Sequence, residues 1–537
     1  MSGMDGIMEQ AQRDGATRPG ARPSLRLGGQ ERAVDACRSL DLVTSHRAGP
    51  AFEADIISTW RDSQGQDATL SSGIVMELKR ENGTMVQTIS GQLPDGAPLD
   101  ISYDFGGEGK SGLPRMQTNL KLDQTSEAPS RMRLRLRTEL TRRVVPLRYG
   151  DSALTVTLET GRVFAWPEDG RFLSQRVGQA ELILDNGKIE DLNGFAIALA
   201  EATGLGPAVR TPEQIGRALL QEDLGGPVRA PRYDLPEEAT AADVLEKALE
   251  ASAFQIFGNI APAHLGDADG IKQLRIGLRR LRSILKLFKK HISADYLDHL
   301  VAEAKRVSAV LGRARDLDVF VEETLPAIFA TDLPGTSERD GLEALGRQAD
   351  LLRQADKRAA MRLVDEDAGF AGFCVRLQVY LASAPWREDD RLQKPAPDFA
   401  RKALGKALAR VEGTGQTLAD APPHSRHPLR VELKKLRYAL HAFRPLYGKD
   451  ERKPYLSALS QLQDEFGALN DAVVAREMVL RVAQSDLGAE ERLQIEAGAG
   501  YVTGWTQRGL IGQGDRVLEA WHDFEALTPF WQEQARC

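Results

Sequence analysis

Two stretches of this chain, 155 residues apart, carry one helical pattern. "IKQLRIGLRRLRSILKLFKK" (271–290) spaces Leu274, Leu278, Leu281, Leu285 and Phe288 as "HPLRVELKKLRYALHAFR" (427–444) spaces Leu429, Leu433, Leu436, Leu440 and Phe443. At roughly 100° per residue each set falls on one arc of a helix. Further on, "LGRARDLDVF" (311–320) and "FGALNDAVVA" (466–475) keep the same offset, pairing Gly312 with Gly467 and Asp316 with Asp471. The chain therefore contains an internally duplicated helical unit. A core explains the repeated leucines.

A core does not explain the arc beside them. Lys272, Arg275, Arg279, Arg282, Lys286 and Lys289 share an arc of about 100°, a stripe about 25 Å long. His427, Arg430, Lys434, Arg437, His441 and Arg444 repeat it position for position. Arg280 and Lys435 lie near 80°, at the rim of such a stripe. Residues 271–290 hold eight Lys and Arg and no acid, and Glu432, the one acid of the second stretch, falls near 140°, off the stripe. Like charges at i,i+3 and i,i+4 each cost a few tenths of a kcal/mol. A face meant only for water interleaves glutamate. Since the 537-residue chain has a formal net charge of −7, any polyanion binding must be local.

The duplicated [HK]-x-x-R-x-x-x-[RK]-[RK]-x-[RK] helix with its [LF]-G-x-x-[RN]-D segment resembles the CHAD domain (conserved histidine α-helical domain). The resemblance covers roughly residues 237–535 and includes the lead-in "FQIFGN" (254–259). It implies two pseudo-symmetric helical bundles around a basic groove, with inorganic polyphosphate as ligand. The first-repeat histidine is Lys272 here, whereas His427 is kept. Lysine preserves the charge and loses the pH sensitivity.

Upstream the pattern changes. Residues 1–20 are Gly-rich and polar and read as a tail. "IVMELKRENGTMVQTI", "RMRLRLRTEL", "ALTVTLETGRVFAW" and "QAELILDNGKI" alternate or carry β-branched residues, separated by NG, DG and TG turns. The expected class is α+β multidomain: an N-terminal antiparallel β-barrel over 21–223, a linker at 224–240, and an all-α domain over 241–535. Its repeats would span about 241–395 and 396–535.

The β region resembles the CYTH, or triphosphate-tunnel, fold through residues 60–91, 136–143, 154–163 and 178–187. Members that hydrolyse triphosphate hold a divalent metal on glutamates of an E-x-E-x-K strand and of a later E-x-E-x-E strand. Here the later strand reads Gln179, Glu181, Ile183, and "SLRLGG" (24–29) has no glutamate. Ser90 stands at the T-K-G lysine, with Glu77 and Lys79 at the LR-R pair. Metal-assisted hydrolysis needs several hard oxygen ligands, so a catalytically dead tunnel is expected. Arg131, Arg133, Arg135 and Arg137 face one side of a strand and are candidates to hold an anion there, or form a solvated edge.

Three function classes compete. Polyphosphate offers charge and little else, so a long cationic groove is its complement. A metal-dependent triphosphatase of the β domain is the alternative. A nucleic-acid or protein scaffold is the third, but single-strand binders intersperse aromatic platforms, and Phe288 and Phe443 fall on the apolar arc. No catalytic residue, cofactor, specific nucleic acid or membrane partner is expected. Cys37, Cys374 and Cys537 form no CxxC pair and the His424–His427 pair lacks further ligands, so no metal site is expected. The cysteine usage and the lack of an apolar leader suit the cytoplasm, and the CHAD resemblance adds polyphosphate granules.

Overall fold

The computed structural model describes residues 22–62, 75–81, 84–92, 98–104, 133–208, 210–221, 225–331, 335–416, 418 and 427–533. The expected tail 1–20, Arg131, His424 and Cys537 lie outside these residues. The chain divides into two compact units, residues 1–226 with 365–379, and residues 227–364 with 380–537.

Among the described residues the first unit is built on nine strands: β1 (Ser24–Gly29), β2 (Phe52–Asp62), β3 (Val75–Glu81), β4 (Thr84–Gln92), β5 (Pro98–Asp104), β6 (Arg133–Tyr149), β7 (Ser152–Ala165), β8 (Leu173–Asn186) and β9 (Gly206–Pro207). Their order is β5-β4-β3-β2-β6-β7-β8-β1-β9, every pairing antiparallel. The expected barrel is corrected to an open sheet, because β5 and β9 remain its two edges. β9 is two residues long, and its proline has no amide hydrogen to extend a ladder. β6 and β7 are joined across Tyr149 and Ser152, where Gly150 takes φ +58, as a two-residue hairpin requires.

Helices α1 (Glu31–Ala36) and α2 (Ile189–Thr203) bury Val34, Phe195 and Leu199 against Val156, Leu158 and Leu182. Val375 and Val379 of helix Ala368–Ser383 join that core. Helix α3 (Pro212–Leu220) covers Leu136 and Trp60 so closely that a Cβ at Gly216 would lie 1.9 Å from a Leu136 methyl.

The second unit is helical: α4 (Ala241–Phe257), α5 (Ala268–Leu287), α6 (Ala294–Val319), α7 (Thr336–Glu366, its last two residues in the first unit), α8 (Ala396–Gly415), α9 (His427–Phe443), α10 (Lys449–Ala483), α11 (Ala489–Gly509) and α12 (Gln513–Glu525). The duplicated apolar positions are its centre. Leu274, Leu278, Leu281, Leu285 and Phe288 are fully buried, and their partners 155 residues on are at most 2% exposed. Each such leucine contributes about 1.5–3 kcal/mol by leaving water. α5 packs on α4, α6 and α9, and α9 on α8 and α10. The lead-in "FQIFGN" is a polar clasp, with Gln255 donating to Gln273 at 3.0 Å and Asn259 holding both backbone groups of Val228. Among the described residues no helix is long and apolar enough to cross a membrane.

Candidate anion-binding site

With its leucine face committed to the core, α5 presents its cationic stripe along the flank. Arg275, Arg279, Arg280 and Arg282 are half-buried, while Lys286 and Lys289 are exposed. Arg279, Arg280 and Arg282 each bury an Nε–H that meets no acceptor. Buried donors are normally paired, so three such groups within about one turn of one helix are open to oxygen acceptors.

Arg279 and Arg282 open into a cleft of about 1120 Å³. From α5 and the turn after it come Arg279, Arg282, Lys286, Lys289, Lys290 and His291; α9 adds Lys434 and Lys435, and α8 adds Lys402, Lys406 and Arg410. Ten Lys and Arg therefore line the cleft against one carboxylate, Asp298. The aromatic side chains at its wall are engaged. Phe399 stacks on Phe288 at 4.9 Å and 8°, and the Arg279 guanidinium lies 5.6 Å over the Tyr438 ring.

At the head of the cleft the duplication meets itself. Burial, then repulsion from Arg430, Arg279 and Arg275, pushes the Lys434 ammonium down to about 8. Arg275 and Arg430 are likewise lowered, first by burial and then by neighbouring cations, against the pull of Asp316 and Asp471 respectively. Burial lifts both of these carboxyls above the usual range. The repeated Gly-x-x-x-Asp segment thus sets one counter-charge on each flank of a four-cation cluster.

Of the positions singled out in the sequence, Arg279, Arg282, Lys286, Lys289, Lys434 and Lys435 line the cleft. Lys435 is also paired with Glu432 at 2.5 Å. Lys272, Arg275, Arg280, His427, Arg430, Arg437, His441 and Arg444 do not line it. Lys272 pairs with Asp269 at 3.3 Å, and Arg437 donates to Gln463 at 2.8 Å. Desolvation, then Arg280, Arg437 and Arg444, pushes His441 down to about 4. Its side chain keeps a face to solvent, so repulsion by the three guanidinium groups is the firmer cause.

Lys402, Lys406 and Arg410 were not visible by repeat comparison, because their counterparts are Lys247, Ala251 and Gln255. The i, i+4, i+8 spacing of three cations on α8 was the available signal. His291, which belongs to no constellation in the sequence, lines the cleft with its Nδ1 bound to Asp389 at 2.8 Å.

In the first unit, Arg133 lies on β6, and Arg135 and Arg137 alternate with the buried Leu136 and Thr138. Arg135 approaches Glu168 at 3.7 Å, and Arg137 pairs with Glu139. Glu181 accepts from Arg26 at 3.0 Å, Glu159 from Arg142 at 2.7 Å, and Gln179 donates to the Arg210 carbonyl. Among the described residues no group of three or more His, Cys, Asp or Glu could hold a metal ion.

Residues 247–480 match the CHAD domain family. This segment is a CHAD domain. The family is associated with polyphosphate binding in general. The crystal structure of the CHAD domain from the plant Ricinus communis is 25% identical, covering 56% of this chain and 98% of that one, with a TM-score of 0.47. PptA from Streptomyces chartreusis is 18% identical over 55% of this chain and all of that one, with a TM-score of 0.41. No curated protein matches the chain. The cleft, with all three of its basic helices, falls inside the CHAD segment.

Proposed function

We propose that the CHAD domain binds inorganic polyphosphate in the cleft framed by α5, α8 and α9. One observation carries this reading: ten cations converge on a cleft with a single carboxylate, and the guanidinium groups of Arg279 and Arg282 hold buried N–H donors without acceptors. Phosphate oxygens satisfy such donors with short, charge-assisted hydrogen bonds. A linear phosphate chain presents them at every repeat and needs no recognition of bases. The engaged faces of Phe399 and Tyr438 favour this ligand over single-stranded nucleic acid, which is gripped by stacking on open aromatic platforms. In cells the same affinity would place the protein at polyphosphate granules.

The test is a titration of the full chain with long-chain polyphosphate beside single-stranded DNA of equal charge. Polyphosphate is expected to bind more tightly, with affinity falling steeply as salt rises and counterions are no longer gained by release. Equal affinity for the DNA would transfer the site to the nucleic-acid class.

A further inference from the structure

A duplicated unit should build two equivalent clefts. α4 and α8 begin 155 residues apart, at Ala241 and Ala396, and so do α6 and α10, at Ala294 and Lys449. The open cleft lies between α5 and α8, closed at one end by the start of α6 and on the far side by α9. Its counterpart would lie between α9 and α4.

That position is filled by the chain itself. Beyond the end of α4, Asn259 accepts from the Val228 amide at 3.0 Å and donates to its carbonyl at 2.8 Å. The Tyr233 hydroxyl then donates to the Ala442 carbonyl on α9 at 2.9 Å. Ala442 is the counterpart of Leu287, a wall of the open cleft. The segment ends at Thr240, which caps the start of α4. Residues 228–240 therefore run the length of α4 beside α9, along the line a second anion would take. They precede the residues that match the CHAD family.

The corresponding stretch of the second repeat, 383–395, touches the open cleft at its rim, where Asp389 holds His291, but supplies none of its lining residues. Arg387 reaches Asp243 at 2.9 Å and Glu246 at 2.8 Å, leaving the α5–α8 groove open. The α4 wall of the closed groove is also less basic than its α8 counterpart. Lys247 is tied to Glu250 at 2.8 Å, and the positions matching Lys406 and Arg410 are alanine and glutamine.

We propose that polyphosphate enters one of the two pseudo-equivalent grooves, the α5–α8 cleft, because residues 228–240 seal the other. This rests on the polyphosphate reading and adds which half of the duplication works. The experiment compares two double charge reversals in the full chain, titrated with short-chain linear polyphosphate. Lys402→Glu with Lys406→Glu strips the open cleft. Lys247→Glu with Lys453→Glu, the latter near the start of α10 at the counterpart of the cleft residue Asp298, changes net charge by the same amount on the sealed side. The first pair is expected to weaken binding at least about tenfold and the second by less than about twofold. Lys402 and Lys406 are exposed, so folding should survive, and Lys402→Gln with Lys406→Gln provides a milder loss of the same sign. Equal weakening by both reversals would overturn the one-sided site while leaving the polyphosphate reading intact. Failure of the unmodified chain to bind polyphosphate would overturn that reading itself.

Discussion

The rings of Phe288 and Phe443, separated by 155 residues of chain, lie 6.3 Å apart at an interplanar angle of 43°. Both are fully buried. The two copies of the repeated helix thus meet through equivalent residues, and the cationic flanks are brought together by the packing of the apolar ones. Phe399 breaks the symmetry by stacking on Phe288 while standing 6.1 Å from Phe443. Its counterpart is Val244.

This contact makes the two phenylalanines energetically coupled. Phe288→Leu and Phe443→Leu should each lower unfolding free energy by about 1–3 kcal/mol, because each leaves part of a close-packed ring site unfilled. The double variant should cost less than the sum, since the second truncation removes contacts the first has already weakened. Urea melts of the three variants measure it. Strict additivity would mean that the rings stabilise separate bundles.

Lys434 gives the ligand-free domain a pH signature. Its folded pKa of about 8 lies below the ordinary lysine value of about 10.4. Between those values the unfolded chain binds more protons, so this group makes stability rise as pH climbs from about 8 to about 10. A bound polyanion should restore the charge, so binding near pH about 8.5 should take up protons. Calorimetric titrations in two buffers of different ionisation enthalpy detect the uptake. Lys434→Arg should abolish it. Lys434→Met should raise the melting temperature and weaken binding, as removing a buried functional charge does. Proton release on binding would contradict the account.

Periodicity and duplication made the helical half of the molecule legible, because a buried leucine stripe leaves the same mark in both copies. The stripe also located Arg279, Arg282, Lys286, Lys289 and Lys434, since acid-free cations at helical spacing have few other causes. What it could not convey was asymmetry. His441 aligns with Lys286 in sequence, yet desolvation and then three neighbouring guanidinium groups push its pKa down to about 4. Lys406 and Arg410 have no cationic repeat partner, the counterparts being Ala251 and Gln255, and the Lys402–Lys247 pair lies among ordinary surface lysines. The alternation of β6, β7 and β8 revealed antiparallel strands. Closure was not encoded there; it depended on the edges, where β9 ends in a proline after two residues.

The paired stripes can be tested together. Arg279→Glu with Lys434→Glu reverses one charge on each copy and leaves every buried leucine in place. Polyphosphate binding should fall by more than about tenfold, since two donors are lost and two repulsive charges are gained. Helical circular dichroism should be unchanged, because the new carboxylates sit beside Arg275 and Arg430 and can pair with them. A protein that unfolds would show that Arg279 and Lys434 serve the fold.

The β unit should carry no triphosphate chemistry. Metal-assisted phosphoryl transfer requires two or more carboxylates converging on a divalent ion, which neutralises charge on the transferring group. Glu181 is spent on Arg26 at 3.0 Å, Glu159 on Arg142 at 2.7 Å, and Glu139 on Arg137. Gln179 is buried and bound to the Arg210 carbonyl. Each carboxylate would have to abandon an arginine before it could take a metal, and the freed arginine would repel the ion. The purified full chain should therefore release no phosphate from tripolyphosphate or ATP with Mg²⁺ or Mn²⁺ above a blank without protein. Arg135 and Arg137 can still attract an anion, so binding without turnover fits the same arrangement. Metal-dependent phosphate release that disappears in Glu181→Gln would instead show that the Arg26 pair opens to admit a metal.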